Sequence, residues 1–253
     1  MRNKLTNELA VCGMNAVLAV CEHHPQSVNR LFLREDRLQS FTAICKQLAE
    51  RKRPYKICEE EELERVCKSV HHQGVVAMIE EPVIEPLSLE DLDLWADKGR
   101  TGVLLHSVGN DHNLGAIARA AAFFDVSYIV LNERDTEARL TTSAYRIAEG
   151  GLEHLTVRRI TSTSAFLKDA SKRLITIGTD IRARMRISDL SSIAKNTQSK
   201  KGIVLVLGNE ETGLPEEVKD QCSHMLRIPG TGNIDSLNVS QAAALFLHAI
   251  YEL

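Results

Sequence analysis

Along residues 1–80 the apolar positions switch between the 3.6-residue period of a helix and the short, dense runs of a strand. The stretch "NAVLAVCEHH" predicts an amphipathic helix ended by Pro25, and "VNRLFLR" has the β-branched and aromatic content of a buried strand. Helical spacing returns in "LQSFTAICKQLAERK" and strand character in "RPYKIC". "EEEELERVCKSV" predicts a helix with an acidic first turn, as the helix dipole favours, and "GVVAMIE" a final strand. Together they read as a compact α/β unit of about 80 residues.

Residues 80–100, "EEPVIEPLSLEDLDLWADKGR", carry two prolines and seven acidic residues. Their front half reads as a linker, while "SLEDLDLWADK" predicts a short capped helix. From Thr101 the pattern changes to apolar runs of strand length: "TGVLLHSV", "VSYIVLN", "LTVRRI", "RLITIGTD", "GIVLVLGN" and "HMLRIPG". Most are separated by helical stretches: "LGAIARAAAFFD", "TSAYRIAEGG", "TSAFLKDASK", "PEEVKDQC" and "SQAAALFLHAIYEL". Such alternation predicts a largely parallel sheet covered on both faces. The organisation is then an N-terminal domain over 1–80, a linker over 81–100 and a second domain over 101–253, with no internal repeat.

Composition narrows the picture. The 253 residues are 43% hydrophobic and 26% charged, the balance of a soluble globular chain with a core. No apolar run approaches the ~18–20 residues that span a bilayer. "MRNKLTNELAV" lacks a signal-peptide hydrophobic region, so the expected location is the cytoplasm, with no membrane partner. The cysteines Cys12, Cys21, Cys45, Cys58, Cys67 and Cys222 show no CxxC and no zinc-like spacing, which predicts buried, reduced thiols and no metal. A net charge of −3 excludes a generic polyanion binder, but the charge is unevenly spread. Residues 1–56 hold ten Lys/Arg against five Asp/Glu, residues 57–100 four against twelve, and residues 101–253 seventeen of each. A basic first lobe could steer a nucleic acid, with Arg30, Arg34, Arg37, Arg51, Lys52 and Arg53 as its candidates; solvated helix faces give the same counts.

Polar residues and glycines gather after the strands of the second half, where open α/β sheets bind ligands. In "HSVGNDHNLGAIARAA", Asn113 sits at a helix start, Gly115 allows close approach and Arg119 follows one to two turns along. A plain N-cap is the alternative for Asn113. Arg119 lies among Ala118, Ala120, Ala121 and Ala122, a close-packed setting in which a guanidinium needs a partner; a solvated face is its alternative. In "VLVLGNEETGLPEEV", Gly208 permits a tight turn, Glu210 falls in the mouth of the sheet, and Gly213 and Pro215 shape the next turn. The loop is neither a Walker A nor a GxGxxG turn, and its carboxylate suits a cationic or neutral ligand. The closing stretch "IPGTGNIDSLNVSQAAALFLHAIYEL" runs a glycine-rich loop past Ser236 and Asn238 into a helix. That helix is apolar on more than one face and needs more than one packing partner.

Taken together, "NLGAIARAA", "LVLGNEETGLPEEV" and "IPGTGNIDSLNVSQAAA" resemble, in order and spacing, the three signature motifs of the SpoU/TrmH family of RNA 2′-O-ribose methyltransferases. The N-terminal unit, ending "HHQGVVAMI", resembles the small substrate-binding domain that many members carry; "AEGGLEH" and "CGMNAV" are nearest the YfiF-like subgroup. The resemblance covers nearly the whole chain. It implies an α/β fold of the SPOUT type: a mostly parallel sheet whose last loop and helix pass through an earlier loop as a deep trefoil knot, preceded by a small L30e-like α/β domain. It also implies S-adenosylmethionine (SAM) as cofactor, with Gly208, Asn209, Ile228, Pro229 and Leu237 lining the adenosine pocket, mostly through backbone groups. Asn113, Arg119, Glu210, Ser236 and Asn238 would surround the methyl-transfer site. The family proposal makes Arg119 the activating base; a guanidinium normally stays protonated, so holding a phosphate and the developing alkoxide is physically easier. Ribosomal or transfer RNA and a second copy of the chain, as a homodimer, are the implied partners. Two positions depart from the pattern: Asp111 stands where proline is common, and Glu149 where many members have a small residue, close to where RNA should approach.

The function this predicts is SAM-dependent 2′-O-ribose methylation of structured RNA. The alternative is an RNA-binding protein that keeps the fold with little catalysis, against which Arg119, Asn238 and Glu210 are all present. A nucleotide-dependent oxidoreductase is more distant, because no dinucleotide fingerprint follows the strand at Thr101.

Overall fold

The structure, a computed structural model, describes residues 2–3, 7–133, 139–197 and 202–253. Two compact units emerge: Met1–Val83 with Arg139–His154, and Ile84–Ala138 with Leu155–Leu253.

The first unit contains β1 (Arg2–Asn3), β2 (Glu8–Cys12), α1 (Met14–His23), β3 (Val28–Leu33), α2 (Thr42–Glu50), β4 (Tyr55–Ile57), α3 (Glu60–Cys67) and β5 (Val75–Glu80). Its sheet has the order β1-β2-β5-β3-β4, antiparallel except for β3 beside β4. The expected elements between residues 14 and 80 are all present. The apolar pattern does not announce β1 and β2. All five residues of β2 are buried, and a strand covered on both faces loses the alternation that would mark it.

In the second unit, α4 (Leu89–Asp97) precedes β6 (Thr101–Leu105), α5 (Asp111–Phe123) and β7 (Tyr128–Asn132). The chain then contributes α6 (Thr142–Ala148) to the first unit, where Thr142 Oγ1 donates to the Ala10 carbonyl at 2.7 Å. It returns as β8 (Thr156–Ile160), α7 (Thr163–Ala170), β9 (Ile175–Thr179), β10 (Met185–Arg186) and α8 (Leu190–Asn196). β11 (Ile203–Leu207), α9 (Glu216–Lys219), β12 (His224–Arg227) and α10 (Val239–Tyr251) complete it. The sheet order is β10-β12-β9-β11-β6-β7-β8, and every pairing is parallel, as the alternation of strands and helices predicts.

The helix expected in "SLEDLDLWADK" is α4. Ser88 and Asp91 close a reciprocal capping box at its start, which satisfies two otherwise orphaned donors. Trp95 on α4 is completely buried, stacks on Tyr128 with centroids 4.8 Å apart, and donates Nε1–H to the Arg100 carbonyl at 2.8 Å. The ring lies directly on Gly102 of β6: a Cβ there would stand 2.2 Å from Trp95 Cζ2, so only glycine fits. Leu104, Val130, Leu167, Val204 and Val206 continue this core through the sheet.

All six cysteines are free thiols, four of them buried. Among the described residues no helix is long and apolar enough to cross a membrane, and no group of three or more His, Cys, Asp or Glu could hold a metal.

Candidate active site

The sheet order fixes where a ligand meets the second unit. β6 leads outward through β7 to β8, while its other neighbour, β11, leads to β9 and β12. The strand order therefore reverses beside β6 and β11, and open parallel sheets bind ligands outside the carboxyl ends at such a point. The loops leaving β6, β11 and β12 there carry the three polar segments of the sequence.

Asn113 is the hub. Its Nδ2 donates to Glu210 Oε1, and its Oδ1 accepts from Asn238 Nδ2 at 3.1 Å. Three residues up to 125 positions apart thus form one hydrogen-bonded row, one from each segment. Asn113 is not the N-cap. Asn110 takes that role by accepting from His112 N at 2.8 Å, which leaves the Asn113 amide free for Glu210 and Asn238. Asn238 caps α10, its Oδ1 accepting from Ser240 N at 2.9 Å and Ser240 Oγ at 2.6 Å.

Asn209 ties the β11 loop to the β6 loop by donating Nδ2–H to the Ser107 carbonyl at 2.9 Å. Its Oδ1 accepts from Glu211 N at 2.9 Å and Thr212 N at 3.0 Å, a side-chain turn that sets the path of the loop. Gly208 is required by the backbone itself: a Cβ there would lie 2.5 Å from the Gly213 carbonyl carbon and 2.7 Å from Leu214 N. From Ile228 the third loop runs outward. Pro229, Ser236 and Leu237 are exposed and Ile228 is half-buried. Among the described residues, the backbone from Gly230 to Leu237 enters no backbone–backbone hydrogen bond. Its donors and acceptors are therefore available to a ligand read through main-chain atoms, which fits an adenosine.

Arg119 stands on the exposed side of α5, one turn before the exposed Phe123, while Leu114, Ile117, Ala118 and Ala121 face the core. The alanines pack as expected; the arginine does not share their burial. The structure thus brings Asn113, Glu210 and Asn238 together and places Arg119 and Ser236 on exposed surface beyond that row.

A second polar group at the same sheet edge escapes the motif reading. Thr163 Oγ1, fully inside the protein, is 2.9 Å from His106 Nδ1 and accepts from Asn132 Nδ2 at 3.3 Å. The available signal was the position of His106 immediately after a strand, in "LLHSV".

Three of the six candidate cations in the basic lobe of the first unit meet carboxylates. Arg30 pairs with Glu8, Arg34 with Asp36 at 2.8 Å and Glu60 at 2.9 Å, and Arg37 approaches Asp36 at 3.6 Å. Arg51 donates to the Pro25 carbonyl at 2.8 Å and to Gln26 at 2.9 Å. Of the six candidates only Lys52 and Arg53 are fully exposed.

Comparison with known proteins decides the family. The SpoU rRNA Methylase family matches residues 100–248, and the RNA 2′-O ribose methyltransferase substrate binding family matches residues 10–83. The chain belongs to the SpoU family. It is 29% identical to the 23S rRNA (guanosine-2′-O-)-methyltransferase RlmB of Bordetella pertussis, over 94% of each chain. It is 27% identical to the uncharacterized tRNA/rRNA methyltransferase YfiF of Escherichia coli O157:H7, over 98% of this chain and 69% of that one. Among solved structures, an AdoMet-bound rRNA methyltransferase from Sinorhizobium meliloti shares the fold with a TM-score of 0.76 at 21% identity, covering 97% of this chain and 87% of that chain. The Asn113–Glu210–Asn238 row therefore joins the three segments that carry the SpoU motifs.

Proposed function

We propose that this chain is a SAM-dependent methyltransferase acting on the ribose 2′-hydroxyl of structured RNA, ribosomal or transfer. Membership of the SpoU family supports this reading, and the observation that carries it is the hydrogen-bonded row of Asn113, Glu210 and Asn238 at the switch point of the sheet. SAM, when bound, supplies a methyl group on a positively charged sulfur. Backbone groups of Gly208, Asn209, Ile228, Pro229 and Leu237 would hold its adenosine, and the Glu210 carboxylate favours a cation in the mouth of the sheet.

The protein's contribution is alignment. Displacement at a methyl carbon needs the attacking oxygen in line with the departing sulfur, and holding reactants in that geometry supplies much of the rate. Asn113, Asn238 and Ser236 orient the ribose. Arg119 holds a neighbouring phosphate and stabilises negative charge developing on the oxygen as the hydroxyl proton passes to solvent. We place the reaction in the cytoplasm and in a homodimer, whose contact surface would be the joint face of α5 and α10. Phe123 (80% exposed) on α5 and Tyr251 (60%) and Leu245 (45%) on α10 leave apolar surface on these two helices, and exposed apolar surface of this kind suits an interaction site. The trefoil knot belongs to the same proposal.

The deciding experiment is transfer of labelled methyl from SAM to total RNA, followed by mapping of protected 2′-positions. Asn113→Asp places a second carboxylate beside Glu210 and removes the donor between them, and should lower transfer at least tenfold with the fold intact. RNA binding without any transfer by the wild-type chain would replace this reading with that of a binding protein.

A further inference from the structure

The first unit contains a polar cavity of about 330 Å³ that methyl transfer does not use. Its walls come from distant parts of the sequence: Gly13 and Asn15 at the start of α1, Gln73 before β5, and Arg146 and Glu149 at the end of α6. The polar groups are fixed in advance. Gln73 Oε1 accepts from Met14 N at 2.7 Å, and Asn15 Nδ2 donates to Glu149 Oε2 at 3.3 Å. Glu149 closes α6 in the left-handed backbone common at a helix C-terminus, with φ of 47°, and Gln73 holds the same conformation with φ of 54°.

The charges are mixed. The Arg146 side chain runs beside Gly13, whose added Cβ would lie 3.6 Å from Arg146 Cγ, and among the described residues its guanidinium has no hydrogen-bond or ion-pair partner. Two carboxylates, Glu149 and Glu60, line the same cavity. Glu60 Oε2 accepts from Arg34 at 2.9 Å, and its Oε1 is 3.6 Å from Nε2 of the fully buried His72. His72 Nδ1 accepts from Gly74 N at 3.1 Å, which puts the imidazole hydrogen on Nε2; among the described residues that buried atom has no hydrogen-bond partner.

Two carboxylates beside one guanidinium repel a phosphate. They suit a neutral planar ligand with a donating edge and an accepting edge. Among the four RNA bases only guanine presents two adjacent donors, N1–H and N2–H, on one edge and two adjacent acceptors, O6 and N7, on another. A carboxylate matches the first pair and the guanidinium fork the second. We propose that this cavity binds the guanine base of an unpaired RNA nucleotide, with Arg146 on O6 and N7 and Glu149 on N1 and N2. Val70 and His71, exposed on the rim, supply the surface over which the base lies. The RNA source of the base rests on the methylating function; the cavity shares no residue with the methyl-transfer site.

The test is fluorescence anisotropy on the full chain, with single-stranded oligoadenylate carrying one central guanosine. The guanosine is replaced in turn by adenosine, by inosine, which lacks the 2-amino group, and by 7-deazaguanosine, which lacks N7. Each replacement should weaken binding about tenfold. Glu149→Gln should erase the preference over inosine and keep that over 7-deazaguanosine, and Arg146→Ala should do the reverse. Equal binding of all four oligomers by the wild-type chain overturns the proposal whether or not the variants fold, and so does survival of both preferences in both folded variants. Free GMP competing as well as the oligomer overturns the RNA source. Methyl transfer to total RNA on the same preparation keeps the two readings apart: transfer without guanosine preference rejects the cavity alone, and preference without transfer rejects the methylation alone.

Discussion

Arg119, on the exposed side of α5, is proposed to act on the substrate. If Arg119 holds a substrate phosphate and supports the reacting oxygen, Arg119→Ala should leave SAM affinity unchanged in calorimetry and lower single-turnover methylation by ~10²–10³. Arg119→Lys should recover part of that loss, because an ammonium keeps the charge without the planar fork. Near wild-type turnover by the folded alanine variant would end the assignment. Glu153 carries a different kind of prediction. Burial pushes its carboxyl up to about 7 from the usual 4.5, although His24 Nε2, on a mostly exposed ring, lies 3.2 Å away. The folded chain then holds this proton to a higher pH than the unfolded chain does. Its stability contribution is complete below about 4.5 and declines as pH rises toward about 7, by up to about 3 kcal/mol before the compensation from His24. Glu153→Gln should flatten that window in denaturant titrations at pH 5 and pH 8; an unchanged slope would locate the pH dependence elsewhere.

Among the elements, the contact of α4 with β6 is the most constrained. Gly102→Ala would drive a methyl into the Trp95 ring, and overpacking of this kind costs about 1–3 kcal/mol; urea titration should show the loss without a change of fold. The same two elements show what a sequence reveals about packing. The capping box of α4 and the strand character of β6 are local and were readable, but nothing local says that Gly102 exists to admit Trp95. β2 was hidden because it is buried on both faces, and α8 with its edge strand β10 because both are short. The site divides in the same way. Asn113, Glu210 and Asn238 were legible through three motifs, whereas their mutual hydrogen bonds span up to 125 positions and emerge only from the sheet order. For the basic lobe, counting charges ignores their partners: Glu8, Asp36 and Glu60 lie close enough to engage three of its arginines.

For the whole molecule, the proposed dimer would use the face made by α5 and α10. Phe124 stacks with His248 at 5.7 Å and tilts against Tyr251 at 5.9 Å, which joins the two helices into one apolar surface with Phe123 at its edge. Light scattering at micromolar concentration should return twice the mass of the chain, and Phe123→Asp should shift it toward the monomer. A wild-type monomer would contradict the proposed dimer. The placement of Trp95 has one more use. It is the only tryptophan in the sequence, and it sits in the core of the second unit, so the emission of this indole reports the melting of that unit alone. Circular dichroism reports helices of both units. If the two signals follow one curve on heating, the chain melts as a single cooperative body; if the ellipticity changes first, the first unit opens while the Trp95 core stays closed.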